Sequence, residues 1–594
     1  MAAASFFKHL ARPQAYICKD CIRYGAIARQ ARRAISDGWL RKTAEAEIAW
    51  KEQSKLIGAG EKQSTLAVLE ERGFIKDIAG GRDELDNLMT NKRIGAYVGV
   101  DPTAPSLHVG HLLPLMALFW MYLHGFGCTT LLGGATAKVG DPSGRLSARD
   151  AQKADSQKMN MIAMHVQLKK LWSNVDALAG RFGYQKEWAW KRALLNNNAW
   201  LNKLGITEVL RDLGPGLRLG TMLAKDTVKT RLEKGDGMSF AEFCYPLLQS
   251  WDWWHMYQAN GIQLQIGGSD QYGNICAGMD AINYMRKTYH APHLREGLDG
   301  PLMAPFGFTT PLLTTSSGEK FGKSAGNAIW LDPEMLSSFD LYGFFVKSSD
   351  DDIERYLKLF TFIPLPQIKL VMTHHMTQPE QRHAQHLVAK EFVSLVHGVP
   401  AAEKAEKEHK ALFAGGSKTL NLDALRNAPR NPGKASPSPQ EDMSMSLNKF
   451  APQVNAQNAP QKYTSLPKSL VMGSAFPQIL YSAGLVSSRS EGHRLVSAQG
   501  AYVAGQPDGD SIGNSLNWSA MKHFETDKPQ KYILDGNLLV VRVGKWNIRM
   551  CHILEDDDFE AQGLTCPGWE EFKEREKAKA DAATGVGSSP LFPM

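Results

Sequence analysis

Nowhere in its 594 residues does the chain hold the run of about 18 to 20 apolar residues that a membrane-spanning helix requires, so no membrane partner is expected. Cysteine is scarce. Five of the seven (Cys128, Cys244, Cys276, Cys551 and Cys566) stand alone, and the other two form a single Cys18-Lys-Asp-Cys21 pair with no second pair to complete a tetrahedral metal site. A disulfide scaffold is thereby excluded, a reducing compartment fits, and no protein-bound structural metal is expected. The body of the chain has no net positive charge: beyond residue 42 it carries 59 Lys/Arg and 59 Asp/Glu. The whole surplus of +7 lies in residues 1–42, where nine Lys/Arg stand against Asp20 and Asp37. A polyanion would therefore have to be met by local patches. That N-terminus also lacks the continuous apolar core of a secretory signal. Basic, acid-poor and dotted with Phe6, Phe7, Leu10 and Tyr16, it has the composition of a mitochondrial presequence removed near residues 33–36, with the matrix as destination.

What is present is organised around residues 95–111, GAYVGVDPTAPSLHVGH. Residues 96–100 are short and apolar between turn residues, as a buried strand is. The run LLPLMALFWMYL at 112–123 is long enough only for a buried helix. His108 and His111 then sit at that helix's N-terminus, where free N–H groups and the positive end of the dipole favour a phosphate. Gly110 between them lets a nucleotide approach the backbone. On their own, two such histidines could equally be helix caps, and no third or fourth ligand stands near enough to make them a metal site. Residues 128–132 read as the next strand, so strand, helix and strand form a parallel crossover with its site beyond the strands' carboxyl ends. Asp141 lies in the Gly-rich loop that follows. Helices are expected through 150–235. Tyr245, Gln249 and Asp252 then fall at i, i+4 and i+7 of an aromatic helix, which puts three polar tips on one face. Such groups in apolar surroundings are unfavourable unless they bind something. A second strand-turn-helix at 263–274 places Gly268, Asp270 and Gln271 at its turn, where a carboxylate can accept from ribose hydroxyls. A glycine-flanked loop with Lys320 and Lys323 suits a lid over a triphosphate.

Tyr97-x-Gly99-x-Asp101-Pro102-Thr103 followed by Ser106-Leu107-His108-x-Gly110-His111 resembles the HIGH signature of class I aminoacyl-tRNA synthetases, in the form typical of bacterial-type tyrosyl-tRNA synthetases. GDPSG around Asp141, the helix bearing Tyr245, GGSDQYGN at 267–274 (Tyr272 replacing the family's Trp) and KFGKS at 320–324 resemble the same family, over most of 64–412. The resemblance implies an α/β fold: a Rossmann-like parallel-sheet catalytic domain, an α-helical anticodon-binding domain and a C-terminal S4-like α+β RNA-binding domain. It implies that tyrosine reacts with ATP, accompanied by Mg2+, to give tyrosyl-adenylate, and that the tyrosyl group then passes to tRNA(Tyr). Carried over by position, Thr103, His108, His111, Lys320 and Lys323 would act on the phosphates. Gly99, Asp101, Gly110, Gly268 and Asp270, with Lys320, Phe321, Gly322, Lys323 and Ser324, would bind ATP. Tyr97 and Asp252 would meet the substrate phenol, Asp141, Tyr245 and Gln249 its ammonium, and Gln271 would help place its carboxylate. No residue stands out as a general base, so rate would come from positioning and charge stabilisation.

The expected division is a presequence at 1–35, a helical extension at 36–63, the catalytic domain at 64–330, the anticodon-binding domain at 331–414, a disordered linker at 415–464, the S4-like domain at 465–555 and a charged tail at 556–594. The linker reads as such because its Asn, Pro, Ser, Gln and Ala cannot build a core. Residues 462–550 hold ten basic and six acidic side chains, a local surplus in a neutral body. Arg489, Arg494 and Lys545 are its expected RNA contacts, and 508–528 reads as an insertion. The helix at 36–55 would anchor through Trp39, Ile48 and Trp50 and present Arg41, Lys42, Lys51 and Lys55. With that insertion it resembles the additions of filamentous-fungal mitochondrial tyrosyl synthetases, which implies group I intron RNA as a second partner on a homodimer. Other readings stay open: a helix that only packs on the catalytic domain, a tryptophanyl-type enzyme or smaller HIGH-type nucleotidyl transferase, and a splicing factor that keeps the fold without catalysis.

Overall fold

The computed structural model describes residues 37–143, 154–184, 192–233, 237–291, 295, 297–298, 300–316, 323–324, 327–412, 419–421, 463–505, 515–521, 528–544 and 547–583. The chain forms two units, Met1–Phe321 with Ser349–Ala384, and Gly322–Ser348 with Gln385–Met594.

The first unit is built on a six-stranded sheet: β1 (Asp77–Ala79), β2 (Gly95–Val100), β3 (Gly127–Leu132), β4 (Arg192–Asn196), β5 (Ile262–Gly268) and β6 (Phe306–Thr310), in the order β1-β6-β5-β2-β3-β4. All neighbours run parallel except the short edge strand β1, antiparallel to β6. Strands β2, β3 and β4 step outward one way while β5 and β6 step the other, so the order reverses between β2 and β5. A crevice opens at such a reversal beyond the strands' carboxyl ends. Residues 101, 133, 197 and 269 follow those ends directly.

Helices cover the sheet: α1 (Asp37–Gly58), α2 (Thr65–Arg72), α3 (Val109–Leu123), α4 (Ala154–Arg181), α5 (Phe240–Asn260) and α6 (Tyr272–Thr288). Thirteen of the fifteen residues of α3 are buried. Each large apolar side chain so removed from water contributes about 1.5 to 3 kcal/mol, which explains an apolar run with no polar face. A capping box starts α5: Ser239 accepts from the Glu242 backbone while Glu242 reaches back to the Ser239 N–H. Glu242 is held further by Arg231 through bonds of 3.0 and 3.3 Å, both residues buried. Gly261 ends α5 with φ of 67°. Arg72 at the end of α2 is 1% exposed, lies 3.6 Å over the Trp120 ring, and donates to the carbonyls of Lys358 (2.9 Å) and Ile363 (2.6 Å). It thereby fastens the helix Asp350–Phe360 to the unit. Burial pulls its pKa down to about 10, so it remains a cation at neutral pH.

Two expectations need correction. Residues 150–235 are not all helical, for β4 lies among them; Arg192 is exposed, the other four residues are half-buried, and they carry little strand periodicity. Ile48 does not anchor α1: it is 63% exposed, and the buried contacts come from Ala46 and Trp50, the latter edge-on to Phe126. The Trp39 side chain lies outside the described residues.

The second unit contains the helices Ser338–Val346 and Val399–Leu412, which pack on each other, and a six-stranded sheet near the C-terminus. One face of that sheet is a core of Val503, Leu539, Val541 and Cys551 closed by Phe476, Ile479, Leu480, Trp569 and Phe572. Two of its strands fall where none was expected. Thr419–Asn421, within the stretch expected as linker, pairs antiparallel with Ser515–Ala520, within the stretch expected as an insertion. Their ladder is made by sequences with no local core of their own, so only a partner distant in sequence could reveal them. No helix among the described residues is long and apolar enough to cross a membrane.

Candidate active site

The crevice at the β2–β5 reversal gathers two hydrogen-bonded networks. The first begins at Asp101, just past β2. Its carboxylate accepts from the Tyr245 phenol (2.9 Å) and from Thr136 (2.8 Å). Thr136 accepts in turn from Asn197 (3.1 Å), and the same amide nitrogen donates to Asp252 (2.9 Å). The Trp200 indole N–H closes the other Asp252 oxygen at 2.6 Å, and its ring stacks on His255 with centroids 4.4 Å apart. Asp252 is 2% exposed, and burial pushes its pKa up to about 7 against the pull of Asn197 and Trp200. Tyr97 lies close enough to feel that charge. It is 1% exposed, its phenol has no hydrogen-bond partner among the described residues, and burial followed by Asp252 raises its pKa well above the ordinary range. A buried hydroxyl without a partner is a standing penalty of about 1 to 3 kcal/mol unless a ligand fills the gap.

The second network surrounds Asp141. It accepts from Gln271 (2.7 Å), from the Ser143 backbone (2.9 Å) and from Asn274 (3.5 Å). Gln249 donates to the Gln271 carbonyl (3.3 Å), and Asn274 donates to Gln249 (3.2 Å) and Ser143 (3.1 Å). The Tyr245 hydroxyl bonds Asp101 and lies close enough to Asp141 to feel its charge: burial, then Asp101 and Asp141, raise its pKa well above the ordinary range. Gly268 ends β5, and Asp270 and Gln271 occupy the single turn before α6, joined at 3.5 Å.

His108 and His111 cap α3 reciprocally. His108 Nδ1 accepts from the Gly110 N–H (3.0 Å), and His111 Nδ1 accepts from the His108 N–H (3.2 Å). With both Nδ1 atoms accepting, each neutral ring carries its proton on Nε2, the atom it can offer as a donor. The rings stack at 3.8 Å, and burial followed by the neighbouring His108 holds the His111 pKa well below its usual value. A Cβ on Gly110 would lie 2.8 Å from His108 Cε1, so glycine is required for the ring to cap. Gly99 differs: it is exposed within an otherwise buried strand, and a Cβ there would meet nothing closer than Tyr97 at 4.0 Å. The open space above it is the crevice itself. Thr103 donates its backbone N–H to the Asp101 carbonyl in the turn after β2 (2.8 Å).

Lys320, Phe321 and Gly322 lie outside the described residues, as does Lys545. Lys323 and Ser324 form a two-residue strand paired with Asn327–Ala328, and their side chains are not described. The approach to that loop is fixed: Asp352 accepts from the Ser316 N–H and hydroxyl, both at 3.0 Å, and Arg355 donates to the Thr314 carbonyl. Thr136, Asn197, Trp200 and Asn274 were missed from the sequence. Asn197 follows β4 as Asp101 follows β2, so recognising that strand was the signal that could have found it. Among the described residues no group of His, Cys, Asp and Glu is arranged to hold a metal ion.

Comparisons with known proteins give the family. Residues 89–414 match the family described as tRNA synthetases class I (W and Y), and residues 454–571 match the tyrosyl-tRNA synthetase C-terminal domain. The mitochondrial tyrosine–tRNA ligase of Podospora anserina is 47% identical over 535 residues, 89% of this chain and 80% of the relative. The chain belongs to the class I tyrosyl-tRNA synthetases. Among solved structures, a C-terminally truncated mitochondrial tyrosyl-tRNA synthetase of Aspergillus nidulans is 49% identical with a TM-score of 0.59, over 62% of this chain and all of that one. Its Coccidioides posadasii counterpart is 51% identical with a TM-score of 0.58, over 64% of this chain and all of that one.

Proposed function

We propose that the protein is a mitochondrial enzyme that activates tyrosine with ATP and Mg2+ and transfers it to tRNA(Tyr). The observation that carries this reading is the buried Tyr97 phenol, without a hydrogen-bond partner among the described residues, beside the buried Asp252 carboxylate. A ligand hydroxyl can accept from Tyr97 and donate to Asp252, a pairing that an indole or phenylalanine ring cannot make. This speaks for tyrosine over tryptophan. Asp141, Tyr245 and Gln249 would take the ammonium, and Gln271, bonded to Asp141 with Asn274, would help place the carboxylate. Gly99, Asp101, Gly110, Gly268 and Asp270 would border the nucleoside. Thr103, the two Nε2–H donors of His108 and His111, and the Lys320–Ser324 loop would lie along the phosphates. The carboxylate attacks the α-phosphorus, pyrophosphate leaves, and no protein base is needed because the attacking oxygen is already ionised. Donors aimed at the pentacoordinate phosphorus supply the rate. The matrix is the proposed location, supported by the presequence composition and the names of the relatives. ATP–pyrophosphate exchange measured across the amino acids tests the reading; exchange that prefers tryptophan, or none with tyrosine, contradicts it.

The expected domain order stands as part of this proposal, with the C-terminal sheet and its helices as the S4-like RNA-binding domain. A homodimer is supported by exposed apolar side chains concentrated between 206 and 240, including Ile206, Leu219, Leu232 and Phe240 at 57 to 79% exposure. A second activity, binding of group I intron RNA, is supported by α1. With Ala46 and Trp50 turned inward, Arg41, Lys42, Lys51 and Lys55 remain exposed. Replacing these four by Glu keeps the buried face; intron binding and splicing in vitro should fall while tyrosylation is retained, and equal loss of both would remove the second role.

A further inference from the structure

The helix Arg489–Ser497 exposes Arg489, His493 and Arg494. Its own Glu491 is turned back on the N-terminus, bonded to the Ser487 N–H (2.7 Å) and hydroxyl (2.6 Å), and those bonds hold its pKa low. Glu491 is therefore not aimed at the arginines' outer side. A different carboxylate is. Glu571, from the helix Trp569–Ala583, forms an ion pair with Arg489.

What holds Glu571 there is not that pair. Trp569 is 4% and Phe572 6% exposed, both built into the core with Leu470, Val471 and Phe559. Phe572 packs so closely on the main chain that a Cβ on Gly473 would lie 3.0 Å from it. Ser482 donates to the Pro567 carbonyl at 2.8 Å, and Lys573 pairs with Glu560 at 2.9 Å. The helix is seated by apolar packing on both sides of residue 571 in its turn. The pair itself is open to solvent, its side chains 43% and 61% exposed, and pairs of that kind add little to stability. A carboxylate carried on a helix seated in the core and paired with an exposed arginine, in a pair that hardly stabilises the fold, has the properties of a tethered competitor: it is always present, at a concentration set by the fold, and is displaced at small cost.

We propose that Glu571 occupies the position of an RNA phosphate on Arg489 and lowers the affinity of this face for RNA. The inference rests on the reading of the 489–497 helix as an RNA contact. Displacement exchanges one ion pair for another: the Glu571 carboxylate returns to water and the incoming phosphate takes the guanidinium. An RNA that reaches Arg494 as well as Arg489 offsets the competition, whereas an RNA making only the single contact does not. Glu571 thus acts as a filter against weak, nonspecific RNA in a region with a local positive surplus.

The test uses the full-length protein and a transcript of mitochondrial tRNA(Tyr), with binding measured across a salt series. E571Q is expected to bind about two- to fivefold more tightly at low salt, the range of an exposed ion pair, with a salt dependence steeper by up to one counterion. R489Q is expected to bind more weakly, and R489Q/E571Q to match R489Q. E576Q, a neutralisation on the same helix paired to Lys579, should leave affinity unchanged, and all variants should melt at the wild-type temperature. If R489Q weakens binding while E571Q does not tighten it, Glu571 is no competitor, and the RNA face stands without it. If E576Q tightens binding as much as E571Q, bulk charge is responsible and the proposal falls. If R489Q has no effect on binding, the RNA reading of this helix fails and the inference goes with it.

Discussion

Asp252 lies sealed in the first unit with both oxygens held by Asn197 and Trp200, whereas His108 and His111 stand half-buried at the start of α3 with backbone N–H groups on their Nδ1 atoms. Burial acts on both in the same direction: it favours the neutral form, raising the carboxylate toward 7 and lowering His111. The consequences differ. A neutral imidazole with its proton on Nε2 remains a donor, so the proposed phosphate end works over a wide pH range. A neutral carboxyl loses most of its attraction for a phenol hydroxyl, so the proposed tyrosine end is poised near the edge of its working range. A site can thus hold one end by geometry alone and leave the other to a titration.

The contrast can be broken most severely at the start of α3. His111→Ala should lower the rate of adenylate formation by about one to three orders of magnitude, the loss typical of a donor to a developing oxyanion, while tyrosine affinity moves little. His108→Asn, which keeps an N-cap, should lose rate without the stability cost of about 1 kcal/mol that an alanine adds. Pre-steady-state measurement separates rate from binding, and a mutant that chiefly weakens tyrosine would put the histidines at the wrong end.

Next in size is Asp252→Asn. Removing the charge from a buried hydrogen-bonded pair costs about 1.5 to 3 kcal/mol, so kcat/KM for tyrosine in exchange should fall by about 10- to 150-fold with the KM for ATP steady. Unchanged exchange would remove Asp252 from the site.

The titration gives a third test. With a pKa near 7, Asp252 is mostly protonated at pH 6, so the KM for tyrosine should rise by at most about tenfold from pH 8 to pH 6, and Asp252→Asn should flatten the profile. The adenylation step itself should not follow that profile, because His111 is already neutral across the range. Linkage fixes the sign for stability: the folded state binds the Asp252 proton more tightly than the unfolded chain, so this group's contribution falls as pH rises through the interval up to about 7 and is flat above it. The melting temperature of ligand-free wild type, compared with Asp252→Asn over pH 5 to 8, reads it directly. The smallest effect is expected from Asn197→Ala, about two- to tenfold in the KM for tyrosine, because one neutral donor is worth about 0.5 to 1.5 kcal/mol.

Much of the site was legible because its groups sit where local signals are strong. The turn after β2, the histidine cap of α3, the polar tips of α5 and the turn before α6 each announce themselves within about ten residues, through strand-to-turn breaks, capping chemistry and helical spacing. Asn197 and Trp200 gave no such sign. They lie 55 and 52 residues from Asp252, behind a strand of which no residue is fully buried and which resembles the helices around it. Of the anchors expected for α1, Trp50 turns inward and Ile48 does not: two residues apart, they lie on opposite sides of the helix, and the Trp50 side meets Phe126.

What the sequence determined by itself is the parallel α/β platform, the chemistry gathered at its strand ends and the basic character of the C-terminal region, because each follows from patterns read over one or two adjacent elements. What only the tertiary structure decided is which polar groups satisfy one another. Tyr245 bonds Asp101, Tyr97 has no hydrogen-bond partner among the described residues, Thr419–Asn421 joins a sheet, and Arg489 meets Glu571. Hydrogen bonds and ion pairs are settled by distances of a few ångströms between segments far apart in the chain, and those distances exist only once the apolar faces have packed.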